Sequence, residues 1–274
     1  MTALDDHALA ADLAERAGRL LLDLRAKGGD PDSLRNAGDR QSHEFLMAEL
    51  AKARPDDAVL SEEGIDDKAR LTADRVWIVD PLDGTREFGE PGRSDWAVHV
   101  ALWARDAPAG SGGLIAGAVA LPAQNRVLAT EANPRTTGDP HLANGDGEAE
   151  RPDRWDGSRG LRMVVSRSRA SDLVKDVAAQ IHAELVPCGS AGAKAATVVL
   201  GENDAYLHSG GFYEWDTAAP VAVARQRGFH VSRIDGSPVV YNQEDPLLPD
   251  ILVCRPAIAD LLLNAIREAT THAI

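Results

Sequence analysis

The stretch Trp77-Ile78-Val79-Asp80-Pro81-Leu82-Asp83-Gly84-Thr85 sets the tightest limit on what this chain can become. Residues 75–79 form a short apolar, β-branched run, which predicts a buried strand. The run reaches Asp80, and Pro81 is expected to end the strand there, because proline lacks the ladder N–H. Asp83 follows at once. Two carboxylates leaving one strand end together repel each other unless a cation sits between them. With the Leu82 carbonyl they make a set of hard oxygen ligands of the kind that suits Mg²⁺. The amides of Gly84 and Thr85 open what reads as a short helix, and a helix N-terminus holds phosphate. A turn whose aspartates merely cap that helix is the alternative. The loop is not an EF-hand, since Leu82 stands where that pattern needs Asp or Asn.

Charge narrows the partners. Lys and Arg number 29 against 43 Asp and Glu, a net −14, which argues against nucleic acid or an anionic membrane surface as partner. An anionic substrate would need cations to offset that field locally. The hydrophobic fraction of 44% is enough for a full core in 274 residues. No run approaches the ~20 apolar residues of a membrane span. Residues 1–12 are acidic and carry no signal-peptide pattern. Cys188 and Cys254 read as buried thiols in a reducing cytoplasm, and no Cys/His cluster has zinc spacing.

The order of elements predicts two kinds of sheet. Residues 5–27 carry apolar positions at helical spacing and end at Gly28-Gly29. Residues 30–38 read as a polar loop, with Asp39 as the N-cap of a second helix. Residues 58–61 read as a strand ending in Glu62-Glu63-Gly64. Adjacent glutamates are commonly a solvated turn, but Glu62 reaches the same cations if its strand lies beside Asp80. Strands at 95–104, 114–121 and 126–131 predict an antiparallel meander. Residues 133–160, rich in Gly, Pro and charge, read as a linker or long surface loop. Beyond it strand and helix alternate to residue 273, which predicts a largely parallel sheet flanked by helices.

Two turns in the second half carry chemistry. Gly189-Ser190-Ala191-Gly192-Ala193-Lys194 joins a strand to a helix without matching a dinucleotide fingerprint or a P-loop. It offers amides and a lysine, although close packing of small residues explains it equally well. Gly210-Gly211-Phe212-Tyr213-Glu214-Trp215-Asp216 also leads from a strand into a helix, and Asp216 becomes a fourth acid at an element end.

Taken together, Glu62-Glu63, Asp80-Pro81-Leu82-Asp83-Gly84-Thr85 and Trp215-Asp216-Thr217-Ala218-Ala219 resemble the Mg²⁺-dependent, lithium-sensitive phosphatases of the inositol monophosphatase superfamily. Two ordered motifs about 130 residues apart are far more specific than either alone. The resemblance spans nearly the whole chain. Glu214 and Lys194 fit the 3′(2′),5′-bisphosphate nucleotidase branch, of CysQ type, better than the inositol branch. The segment Asn36-Ala37-Gly38-Asp39 departs from the family in lacking a threonine before the aspartate.

The resemblance implies an α+β, or α/β, fold: a five-layer α-β-α-β-α sandwich of the inositol monophosphatase/fructose-1,6-bisphosphatase type. Residues 1–155 would form a domain with the antiparallel sheet and metal site, and residues 156–274 one with the mostly parallel sheet. It assigns Glu62, Asp80, the Leu82 carbonyl, Asp83 and Asp216 to two or three Mg²⁺ ions. Thr85, with Glu62 or Asp39, orients and deprotonates the attacking water, and the amides of Gly84 and Thr85 hold phosphate. Ser190, Lys194, Glu214 and Tyr241 are the candidates for holding the rest of a bisphosphate nucleotide. The activity implied is hydrolysis of 3′-phosphoadenosine 5′-phosphate to AMP, and of its sulfated parent, in cytoplasmic sulfate assimilation. Inositol-1-phosphate, fructose-1,6-bisphosphate and histidinol-phosphate phosphatases are the same-class alternatives. A non-catalytic metal- or nucleotide-binding regulator is the remote one. Oligomeric state stays open, with a homodimer as one assembly.

Overall fold

In the computed structural model, which describes residues 4–110, 112–131, 159–168 and 170–272, two five-stranded sheets alternate with three helical layers. The outer helices come first. Helix α1 (Asp6–Ala26) is capped by Asp5, which accepts the Ala8 N–H, and buries Leu9, Leu13, Ala17 and Leu21 along one stripe. Helix α2 (Pro31–Ala53) starts eight residues before the expected Asp39. Its true cap is Asp30, which accepts the Ser33 N–H, with Pro31 in the first turn. Proline costs nothing there, because that N–H has no intrahelical partner. Asp39 therefore lies inside the helix and caps nothing. Gly38 sits where α2 crosses the site: a Cβ there would lie 2.8 Å from Phe88 and 2.9 Å from Leu82.

The first sheet has the order β1-β2-β3-β4-β5. Strand β1 (Ala58–Ser61) runs parallel to β2 (Arg75–Asp83). Strands β3 (Ala97–Ala104), β4 (Leu114–Leu121) and β5 (Arg126–Ala129) complete the antiparallel meander. Strand β2 does not stop at Asp80. It continues through Pro81 to Asp83, and its register on β3 jumps between the two aspartates. A bulge leaves the extra residues out of the ladder, so proline loses no bond. Gly84 (φ +85°) then turns the chain into the short helix α3 (Thr85–Gly89).

The second sheet is assembled from β6 (Arg162–Ser166), α4 (Asp172–Gln180), β7 (Glu184–Cys188), α5 (Ala191–Val199), β8 (Ala205–Tyr213), α6 (Glu214–Gln226), β9 (His230–Ser232), β10 (Leu247–Cys254) and α7 (Ala259–His272). Its order is β7-β6-β8-β10-β9. Strand β6 is parallel to β7 and β8, whereas β10 runs against both β8 and β9. The sheet is thus mixed: one reversed strand slots between β8 and β9, as a connection without a crossover helix permits. Nearly all of the linker stretch at 133–160 lies outside the described residues.

Three apolar clusters hold the layers. Trp77 and Val79 of β2 face α1 and α2, while Val76 and Ile78 face inward, the period-2 pattern of a strand covered on both sides. The inner cluster joins Ile78 and Ala101 of the first sheet to Ala219 and Val223 of α6 and to Ile251 and Val253 of the second. The third packs Val177 of α4 and Leu262 and Ile266 of α7 on Val165 and Leu252. The five layers expected are therefore present. Of the two thiols, Cys254 is buried and Cys188 only partly so. No described helix is long and apolar enough to cross a membrane.

Candidate active site

Four acids converge from three element ends. Asp80 is 1% exposed; its Oδ1 accepts the Leu82 N–H at 3.0 Å and its carboxyl also bonds to that of Glu62. Burial pushes Asp80 well above the ordinary carboxylate range, and the charges of Glu62 and Asp83 add to it. Glu62 stands at the exposed rim, yet crowding by protein pushes its carboxyl up to about 7. Asp216 lies in the first turn of α6, where it accepts the Tyr213 N–H at 2.6 Å. One oxygen each from Asp80, Asp83 and Asp216 lie within 4.8 Å of one another.

Asp83 differs from its neighbours. Burial alone would raise it, but facing cations and N–H groups hold it below the ordinary value. The N–H groups of Ala191 and Gly192 donate to it at 3.1 and 2.6 Å. Nε2 of His99 approaches it at 3.2 Å, and Nδ1 of the same ring lies 3.0 Å from the Trp215 carbonyl oxygen. Both atoms facing the ring are acceptors, an arrangement that favours its doubly protonated form. Burial disfavours that charge, and Asp83 outweighs it, raising His99.

These residues fit a hard divalent cation. Asp80 meets an amide N–H and another carboxyl, so its charge is uncompensated by the side chains around it. Carboxylates this close need either protons or a cation between them. The Leu82 carbonyl accepts the Thr85 hydroxyl at 3.1 Å and keeps a second lone pair. Thr85 Oγ1 also lies 3.1 Å from Oδ1 of Asp39, the half-buried acid of α2. Burial pushes Asp39 up to about 6, against the pull of the Thr85 bond.

The acids and the Gly84-Thr85 turn line a cleft of about 560 Å³. Ser190 and Lys194 line it too, but both are committed to the wall. Ser190 caps α5 by accepting the Ala193 N–H at 2.8 Å. The Lys194 ammonium donates to the carbonyls of Gly189 and Ser190 and sits 5.3 Å from the centre of the Tyr206 ring. Glu214 and Tyr241 do not reach the cleft. Both are 1% exposed; Glu214 accepts backbone N–H groups, and the Tyr241 hydroxyl donates to Thr217 at 3.1 Å. The turn after Ile234 thus delivers its aromatic ring to the core, where its hydroxyl finds a partner.

The cleft also contains residues that the sequence reading passed over. Arg167 donates to Glu87 at 2.8 Å and to Glu90 at 2.9 Å, across the junction of the two sheets. His208 and Phe212, stacked with ring centres 4.7 Å apart, form an apolar wall. His99 had a legible signal: Ala97, His99 and Ala101 share one buried face of β3, where a histidine needs a partner.

The profile of the inositol monophosphatase family matches residues 6–271. The chain belongs to the inositol monophosphatase family. Among relatives, it is 48% identical over 278 residues to the 3′-phosphoadenosine 5′-phosphate phosphatase of Mycobacterium leprae (strain TN), covering 97% of this chain and 94% of that one. It is 30% identical over 225 residues to the 3′(2′),5′-bisphosphate nucleotidase CysQ of Escherichia coli (strain K12), covering 77% and 81%. The crystal structure of CysQ from Bacteroides thetaiotaomicron superposes with a TM-score of 0.68 at 28% identity, over 90% of this chain and 96% of that one. The inositol monophosphatase family is metal-dependent, and the acid cluster of this member is where a metal would be held.

Proposed function

We propose that this chain is a Mg²⁺-dependent 3′(2′),5′-bisphosphate nucleotidase of the cytoplasm. It hydrolyses 3′-phosphoadenosine 5′-phosphate to AMP and phosphate, and the 5′-phosphosulfate analogue to adenosine 5′-phosphosulfate, in sulfate assimilation. The observation that carries this reading is near-full-length similarity to a phosphatase of that name, joined to a buried acid cluster at the floor of a cleft.

Glu62, Asp80, the Leu82 carbonyl, Asp83 and Asp216 would hold two or three Mg²⁺ ions. When bound, the ions supply charge neutralisation at the phosphoryl oxygens and activation of water. The protein's own part is positioning. Thr85 Oγ1, 3.1 Å from Asp39, would take the proton of the attacking water while its own hydroxyl proton, turned from the Leu82 carbonyl, passes to Asp39. Asp39, pushed up to about 6, is basic enough to take that proton near neutral pH. Glu62, at about 7, is a second proton acceptor at the rim. The N–H groups of Gly84 and Thr85 hold the phosphoryl oxygens. Lys194 and Ser190 line the far wall, where a second phosphate would lie. Residues 1–155 supply most of the acids, and residues 156–274 supply Asp216 and the substrate wall; we take them as the two domains.

The test is kcat/KM for 3′-phosphoadenosine 5′-phosphate and for inositol 1-phosphate, in wild type and Lys194→Ala, with Mg²⁺. Wild type should prefer the nucleotide, and the variant should lose more on it than on the inositol ester. Equal losses, or a wild-type preference for inositol 1-phosphate, would move the protein to the inositol branch. Inhibition by LiCl beyond an equal KCl control is expected alongside.

A further inference from the structure

Glu214 and Tyr241 are buried in a network that ties together two separate parts of the acid cluster. Glu214 opens α6, two residues before Asp216. Its N–H donates to the Pro246 carbonyl at 2.9 Å. Its carboxylate oxygens accept the N–H groups of Asn242 at 2.7 Å and Gln243 at 2.8 Å. With Tyr241 bonded to Thr217, the turn at 241–246 wraps the first turn of α6.

The same turn reaches the segment that follows Glu62. Asn242 has φ +60°, a left-handed backbone that asparagine tolerates better than most residues. Its side-chain oxygen accepts from Nη1 of Arg70 at 2.7 Å, and its side-chain NH₂ donates to the Arg70 carbonyl at 3.2 Å. Arg70 is 1% exposed and lies in the 3-10 turn Lys68–Leu71. Its Nη2 donates to the Gln243 carbonyl at 2.8 Å, and its Nε to Asp66 at 2.6 Å. Every hydrogen bond here crosses between chain segments or pins Arg70 in place. A satisfied buried polar network of this kind is rigid.

We propose that Arg70, Asn242 and Glu214 form a positioning strut that fixes Asp216 relative to the segment carrying Glu62, and so sets the affinity of the acid cluster for a divalent cation. The proposal rests on reading the cluster as a metal site. Carboxylates brought together without a cation push apart. Asp80 and Asp83 are held against that push by the β2–β3 ladder and by the amides of Ala191 and Gly192. Glu62 lies just beyond the end of β1 and Asp216 on a helix start, so the two lack a shared strand pairing. The first sheet holds each one separately, Glu62 through its N–H to the Val79 carbonyl at 3.3 Å and the start of α6 through His99 to the Trp215 carbonyl, and the strut joins the two segments directly.

The experiment is direct Mn²⁺ binding, read by electron paramagnetic resonance on the full chain, in wild type, Glu214→Gln, Asn242→Gly and Ile258→Ala. Glu214→Gln turns an NH₂ against one of the two N–H donors. Asn242→Gly keeps the left-handed backbone at no cost but removes both side-chain bonds to Arg70. Ile258→Ala opens a cavity in the third cluster, remote from the strut, and serves as the control for lost stability alone. The first two variants should weaken Mn²⁺ binding at least fivefold, while Ile258→Ala lowers Tm and leaves the affinity unchanged. If Glu214→Gln does not fold, Asn242→Gly decides. Binding by Asn242→Gly within twofold of wild type would overturn the strut. Absence of Mn²⁺ binding in wild type would instead remove the metal reading, and the strut with it.

Discussion

Nε2 of His99 lies 3.2 Å from Oδ2 of Asp83, and Gly192 is the residue that leaves room for the ring. A Cβ on residue 192 would stand 2.0 Å from that nitrogen. Gly192→Ala must therefore displace His99 or the start of α5, and either movement disturbs Asp83. The expected result is loss of roughly 100-fold in kcat, the scale of a misplacement of about 1 Å at a reacting centre. Steady-state kinetics on 3′-phosphoadenosine 5′-phosphate, with circular dichroism to verify folding, checks it. Activity within threefold of wild type would mean that the Asp83–His99 contact is dispensable.

Asp39 gives a pH dependence of stability. Burial favours its neutral form, so the folded chain keeps this proton to about pH 6, above the ordinary aspartate range. Ionising it costs stability that is lost as pH rises from that ordinary range through 6. Asp39→Asn removes the cost. In EDTA, the variant should match wild type in Tm at pH 4 and exceed it at pH 8. A variant less stable than wild type at pH 8 would contradict the assignment.

A cation held by this cluster would compete with protons for the same oxygens. Glu62 and Asp80 hold protons to higher pH in the folded chain than in the unfolded one, so the metal-free protein loses stability as pH rises toward 7. Mg²⁺ should restore it. At a hundredfold excess over Kd the gain is about 2.7 kcal/mol, or roughly 5–10 °C in Tm for a chain of this size. The gain should shrink at pH 5, where protons occupy the site. Differential scanning fluorimetry at both pH values decides it; equal gains would place the bound cation elsewhere.

Arg167 joins the sheets at the cleft. Replacing it by Gln leaves the buried Glu87 and its neighbour Glu90 facing an anionic substrate without their cation. Arg167→Gln should raise KM for the bisphosphate nucleotide about tenfold, with a smaller change in kcat. Arg167→Lys should recover part of it. An unchanged KM in Arg167→Gln would make the bridge purely structural.

Local patterns carried the strands and the acid motif, because a run such as residues 75–79 and the spacing of Asp80 from Asp83 are local facts. The start of α2 was also local, in Asp30-Pro31, but the polar stretch around Gly38 masked it. Gly38 is there to let α2 approach Phe88 and Leu82, a tertiary demand that overrides helix propensity. Depth was not legible. Lys194 and Tyr241 look like exposed binding groups in sequence, and only packing turns one to the Gly189 and Ser190 carbonyls and the other into the core. Arg167 finds its carboxylates 77 and 80 residues away, a pairing no spacing rule could find.

The inner cluster has a consequence for synthesis. Glu62, Asp80 and Asp83 are made early, and Asp216 arrives 133 residues after Asp83, on a helix clamped between both sheets. Helix α6 has its second wall only when β10 has paired with β8, and that pairing ends at Cys254. A growing chain on the ribosome thus carries an unfinished trio of acids and gains the fourth only once α6 has been made and β10 has closed over it. Fragments ending before α6 lack Asp216, so under the proposed reading of the cluster as a metal site a stalled or clipped chain should add no stray nucleotide hydrolysis to the cell.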